Sequence, residues 1–130
     1  MRALMYLWAL PNTLLGMPFV LLALLSGGGV QLVEGVVEVH SRAIAWLLQR
    51  AVPLAKGAQA VTLGHVVLGC DAAALDRCRR HEQAHVRQYE RWGPFFLPVY
   101  FFASLLAYLR GGHPYWDNAF ERDARRAEGR

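Results

Sequence analysis

Two long apolar runs bracket a stretch in which polar and apolar residues alternate. The first run, Ala3–Leu25, holds no charged residue and is interrupted only by Pro11, Asn12 and Pro18. A bilayer core takes about 20 apolar residues to cross, so the run reads as an uncleaved membrane anchor or in-plane segment. Pro11 and Asn12 mark a place where it could divide into two shorter helices. A signal peptide fits less well, because only Arg2 supplies a basic start and Leu25, Ser26 and Gly27 make no small-residue exit. A buried core helix is the third alternative. Glycines at 27, 28 and 29 end the run.

Residues 30–40 alternate closely enough to predict a strand with one wet face. Ser41 predicts the cap of a short amphipathic helix over 43–51, which Pro53 closes, and Lys56 with Gly57 predicts a turn. The β-branched stretch 60–69 predicts a second strand, in which Gly64 marks a bulge or a place of close chain approach. Asp71 then caps a helix over 72–92, and Gly93 and Pro94 stop it. The second chargeless run, 93–109, follows, and a last helix starts near Asn118.

Composition says the apolar residues exceed what one small core needs. The chain has 130 residues, 55% apolar and 18% charged, with a mean hydropathy of +0.19. Soluble domains run at roughly 45–50% apolar and about a quarter charged. This excludes a disordered, acidic solvating protein and leaves room for a single domain. We therefore divide the chain into a hydrophobic segment, 1–26, and a domain, 30–130. The net charge is +4, and every basic residue but Lys56 is Arg. Five Arg fall between 77 and 91; they read as a solvated helix face that keeps that helix out of a membrane. They are not interleaved with stacking aromatics, which disfavours nucleic acid as a partner. Cys70 and Cys78 form neither a disulfide scaffold nor a C-x-x-C pair.

The chemistry concentrates in His81, Glu82 and His85, an H-E-x-x-H pattern inside the 72–92 helix. Residues four apart project from one helix face, so both imidazoles can reach one divalent metal. Glu82 lies close to that metal without ligating it, placed to take a proton from an acidified water. A catalytic zinc needs a third protein ligand. Downstream candidates are His113, Asp117, Glu121, Asp123 and Glu128. Glu121 leads, although Asn118 and Glu121 also fit a capping box in which Glu121 would bond back to the cap. His113 is its rival, since imidazole suits zinc. His113 or Tyr115, in a glycine-containing loop, could instead donate a hydrogen bond to an oxyanion.

His81, Glu82 and His85, followed by Asn118, Glu121, Asp123 and Ala124, resemble the gluzincin type of zincin metallopeptidase, particularly its small bacterial members, some of them membrane-bound. The likeness covers residues 60–126 and is specific in the two zinc helices. It implies an α+β, minimal zincin-like domain: two short strands, the H-E-x-x-H helix, a return helix and a Glu-bearing helix behind an N-terminal membrane segment. It further implies Zn²⁺ held by His81, His85 and Glu121, with Glu82 as general base. The substrate would be a peptide or protein laid along the strand at 61–68, and the location the bacterial inner membrane. One position departs from the family. Where an Asp would follow Ala124 and orient a ligating His, this chain has Arg125, leaving Asn118 and Asp123 as candidates for that supporting role. That departure favours the alternative of a non-catalytic, zinc-stabilised membrane adaptor.

The zinc reading constrains the second run. If 93–109 crossed a bilayer, Glu121 would be carried away from His81 and His85. The run is therefore expected to pack back on the zinc helix as a core helix, with 110–117 as the returning loop. Eight extended residues cover about 27 Å, enough for that return.

Overall fold

The computed structural model describes residues 2–51 and 59–128. The expected turn at Lys56 and Gly57 and the closing Pro53 lie outside them. The described chain is α+β: helix α1 (Arg2–Leu25), strands β1 (Gly29–Val33) and β2 (Val36–His40), helix α2 (Arg42–Ala51), strands β3 (Ala60–Leu63) and β4 (Val66–Gly69), and helices α3 (Ala72–Trp92), α4 (Phe96–Leu109) and α5 (Ala119–Ala127). A 3₁₀ turn, Gly93–Phe95, joins α3 to α4.

Two strands were expected and the described residues hold four, because each expected strand is a hairpin. The first turns at Glu34 and Gly35, both at positive φ (51° and 79°), the backbone of a type I′ turn. The second turns at Gly64 and His65, with Gly64 at φ 61°. A Cβ at Gly64 would lie 2.5 Å from the Thr13 backbone nitrogen, so the close approach expected there is made by α1. The strands order as β1-β2-β4-β3; the central pair β2 and β4 is parallel and both outer pairs are antiparallel.

Side chains alternate across this sheet and divide it into unlike faces. Val37, Val39, Val61, Leu63, Val66 and Leu68 pack with Ala23, Ile44 and Leu48 of α1 and α2. Val36 and Val67 face Leu75 and Val86 of α3. The α3 face also carries polar groups. Glu38, 1% exposed, accepts from Arg79 Nε (3.0 Å) and Nη2 (2.9 Å), and Thr62 contacts Glu82. Arg79, half-buried, thus partners an interior carboxylate rather than belonging to a wholly solvated arginine face. Arg77, Arg80, Arg87 and Arg91 are exposed, as expected.

Helix α1 is continuous through Pro11 and Pro18. Small residues line its inner side: Ala9, Asn12, Gly16 and Ala23 are buried. A Cβ on Gly16 would stand 2.8 Å from Val66 Cβ, so glycine lets the helix lie directly on the sheet. Asn12 Nδ2 donates to Gly93 O (2.8 Å) and Tyr6 OH to Gly35 O (2.7 Å), tying the same side down. The outer side, including Leu4, Leu7, Leu14, Leu21 and Leu24, is exposed.

The second apolar run packs back on α3, as expected, but buries only one side rather than forming a full core helix. After the 3₁₀ turn, α4 packs one stripe, Phe96, Tyr100, Ser104 and Ala107: Phe96 meets Tyr89 of α3 with ring centroids 4.3 Å apart, and the stripe also lines α5 and the loop before it. Phe101, Phe102, Leu105, Tyr108 and Leu109 on its other side are exposed. By length and composition, Ala3–Leu25 and the apolar part of Ala72–Leu109 could each cross a membrane. Both leave most of their apolar surface uncovered.

Candidate metal centre

Asp71 accepts from Ala74 N (2.7 Å) and fixes the start of α3, so His81, Glu82 and His85 fall on its buried side. Asn118 fixes α5 from within: its Oδ1 accepts from Phe120 N (2.8 Å), and its Nδ2 donates to Tyr100 O (3.0 Å) and Ser104 Oγ (2.8 Å). Its own N–H donates to Tyr115 O (3.2 Å). No carboxylate is therefore needed at the cap. Glu121 is released from the capping box and turns toward α3.

There it meets both histidines. His81 Nε2 lies 2.9 Å and His85 Nε2 3.2 Å from the same oxygen, Glu121 Oε1. One potential ligand atom from each of the three buried residues falls within 4.8 Å of the others. Donors on tetrahedral zinc, with bonds of about 2.0–2.1 Å, stand about 3.3 Å apart. The three side chains lie close enough to bind a metal ion, and two imidazoles with one carboxylate make a donor set suited to a divalent transition metal. Tyr100 OH donates to Glu121 Oε2, which leaves Oε1 to face the histidines.

The protonation of the cluster follows from these contacts. Burial works against charge on Glu121, but hydrogen bonds from His81 and His85 outweigh it and hold its carboxyl far below the usual range. Burial likewise opposes charge on the histidines. The bond to Glu121 and the nearby Glu82 prevail, raising His81 and pushing His85 up to about 9. A metal held here would take the place of protons on the Nε2 atoms, so its binding would release protons.

Glu82 differs from Glu121. Its Oε1 accepts from Thr62 Oγ1 (2.9 Å), and its Oε2 lies 4.0 Å from His81 Nε2. Burial raises its pKa against the pull of His85 and His81. The two carboxylates are thereby pushed in opposite directions within one site.

The remaining candidates are more dispersed. Tyr115 lies beside Glu121, and burial together with that carboxylate raises its phenol. His113 is exposed, and its Nδ1 accepts from the backbone N–H groups of Tyr115 (3.0 Å) and Trp116 (3.1 Å). Asp117 is exposed and accepts from His113 N (2.6 Å). Asp123 points outward and pairs with Arg126 at 3.6 Å. Arg125 donates to Trp116 O and covers the Trp116 ring at 4.9 Å, clamping the returning loop to α5. Glu128 reaches the back nitrogen of His81.

Sequence reasoning passed over four contributors: Thr62, Gln88, Tyr100 and the supporting position of Glu128. Each had a signal. Gln88 lies three residues after His85 and Glu128 seven after Glu121, spacings that share a helix face. Thr62 is the polar residue of an apolar strand, and Tyr100 places a hydroxyl in a run of Phe and Leu.

The backbone at the sheet edge is also engaged. Gln59 O accepts from Cys70 N, so Ala60 and Thr62 direct their backbone groups away from β4. The outward Thr62 carbonyl accepts Tyr89 OH at 2.9 Å. No family model, curated protein or solved structure matches the chain.

Proposed function

We propose that this chain is a membrane-associated, zinc-dependent metallopeptidase-like protein of the gluzincin type. The observation that carries this reading is the convergence of His81 Nε2 and His85 Nε2 on Glu121 Oε1, with Glu82 buried alongside. His81, His85 and Glu121 would hold Zn²⁺, which supplies Lewis acidity for activating water and polarising a carbonyl. Thr62 fixes Glu82 Oε1 and leaves Oε2 as the proton acceptor. As water's oxygen bonds to the peptide carbon, the C=O π pair would move onto the carbonyl oxygen and Glu82 Oε2 would take one water proton. Glu82 Oε2 then passes that proton to the amine as the C–N bond breaks. The uncovered sides of α1 and α4 supply the membrane contact, with α1 lying in the plane of the bilayer surface and its inner side on the sheet.

One observation favours a second reading, a non-catalytic zinc-stabilised membrane adaptor. The Thr62 carbonyl, a backbone acceptor that an extended substrate would use on β3, is already bonded to Tyr89. Glu82→Gln separates the readings. In a peptidase the substitution abolishes hydrolysis of an unstructured protein substrate and leaves bound metal unchanged. A metal-loaded wild type that cleaves nothing, or cleaves no better than Glu82→Gln, contradicts the catalytic reading.

A further inference from the structure

A metal-ligating histidine coordinates through one ring nitrogen, and a partner on the other fixes its tautomer and orientation. In this centre both back nitrogens are engaged, and both partners depend on α5. His85 Nδ1 lies 2.8 Å from Gln88 Oε1, and Gln88 Nε2 donates to Phe120 O at 3.0 Å. The α5 backbone thereby orients the glutamine that holds His85. His81 Nδ1 meets Glu128 Oε1 directly. Glu128 is the C-cap of α5, two turns beyond Glu121, so one helix face presents both carboxylates to the α3 histidines.

From this geometry we propose that Glu128 is a positioning residue for the metal centre. The Glu128 carboxylate accepts the Nδ1 proton of His81, which directs the Nε2 lone pair at the point shared with His85 and Glu121. A carboxylate in this place raises the basicity of the ligating nitrogen more than a neutral amide does, so His81 is the more strongly supported ligand. Docking of α5 then completes the centre in one step, because the helix delivers a ligand, the His81 partner and the anchor of the His85 partner together.

The inference rests on the metal-site reading, and the test separates the two. Zinc affinity is measured by competition with a chromophoric chelator for wild type, Glu128→Gln and Glu128→Ala. The His81 ring is followed by ¹H–¹⁵N correlation in the zinc-loaded proteins. The expected loss is about 10–100-fold for Glu128→Ala, the range for removing such a partner, and a smaller loss for Glu128→Gln, whose amide oxygen can still accept. The His81 Nδ1–H signal should be protected and shifted downfield in wild type, and lost in Glu128→Ala. Glu128→Gln is isosteric and controls for folding. Zinc-binding wild type with unchanged affinity and an unchanged His81 signal in Glu128→Ala overturns the role of Glu128 alone. Wild type that binds no zinc overturns the metal site and this role together.

Discussion

The two faces of the four-stranded sheet are built from the same strands but to different ends. The face against α1 and α2 is apolar at every inward position from Val37 to Leu68. The face against α3 mixes Val36 and Val67 with Glu38 and Thr62. On the first face, a glycine lets helix and sheet come into direct contact. On the second, buried polar groups bond to specific residues of the helix that carries the metal centre. The contrast shows how a period of two lets a small sheet support an apolar helix on one side and position chemistry on the other.

The comparison breaks most clearly on the polar face. Glu38 is buried, and removal of Arg79 leaves its carboxylate, among the described residues, with Gln31 Nε2 at 2.8 Å. Arg79→Met should cost about 3 kcal/mol, at the low end for a broken buried pair because Arg79 is partly open to solvent. Chemical denaturation in one fixed detergent measures this; a loss below about 1 kcal/mol would show that the pair is not a structural tie. The apolar face should be sensitive to volume instead. Gly16→Leu drives a side chain into Val66 and should cost about 2 kcal/mol by overpacking, read in the same denaturation experiment. A neutral result would mean that α1 does not rest on the sheet.

The smallest stability effect is expected on the outer side of α1. Leu21 and Leu24 are 58% and 60% exposed. Replacing either with Gln should change stability by less than about 0.5 kcal/mol, as at other exposed positions. Co-sedimentation with phospholipid vesicles should nevertheless fall, since apolar area is what a bilayer surface takes up. Unchanged vesicle binding in the double variant would remove this helix from the membrane contact.

The elements that were legible in the sequence are those with local chemical punctuation. Asp71 marks the start of α3, Ser41 caps α2 by accepting from Ile44 N at 3.1 Å, and Asn118 caps α5. The pairing of His81 with His85 was legible for the same reason, since helical spacing places side chains, whereas Glu121 was added to them by the family resemblance and its spacing alone left ligand and cap both open. The hairpins were less visible because their turns lack an Asn-Gly or Asp-Gly pair. Their trace is a change of phase: inward apolar positions are odd at Val61 and Leu63 and even at Val66 and Leu68. A uniformly apolar helix hides its packed side, so the small residues Ala9, Gly16 and Ala23 were the remaining sign of how α1 docks. The covered and uncovered stripes of α4 were hidden similarly, because its sequence is apolar around the whole helix. Glu128 required the docked pose of α5, which sequence spacing alone does not specify.

The central claim is that His81, His85 and Glu121 hold one metal ion. Zinc content per chain, measured by elemental analysis of purified wild type and His85→Ala after equilibration with limiting Zn²⁺ and desalting, tests it most directly. The account predicts close to one zinc per wild-type chain and almost none in the variant. Equal, near-zero zinc in both proteins would contradict it.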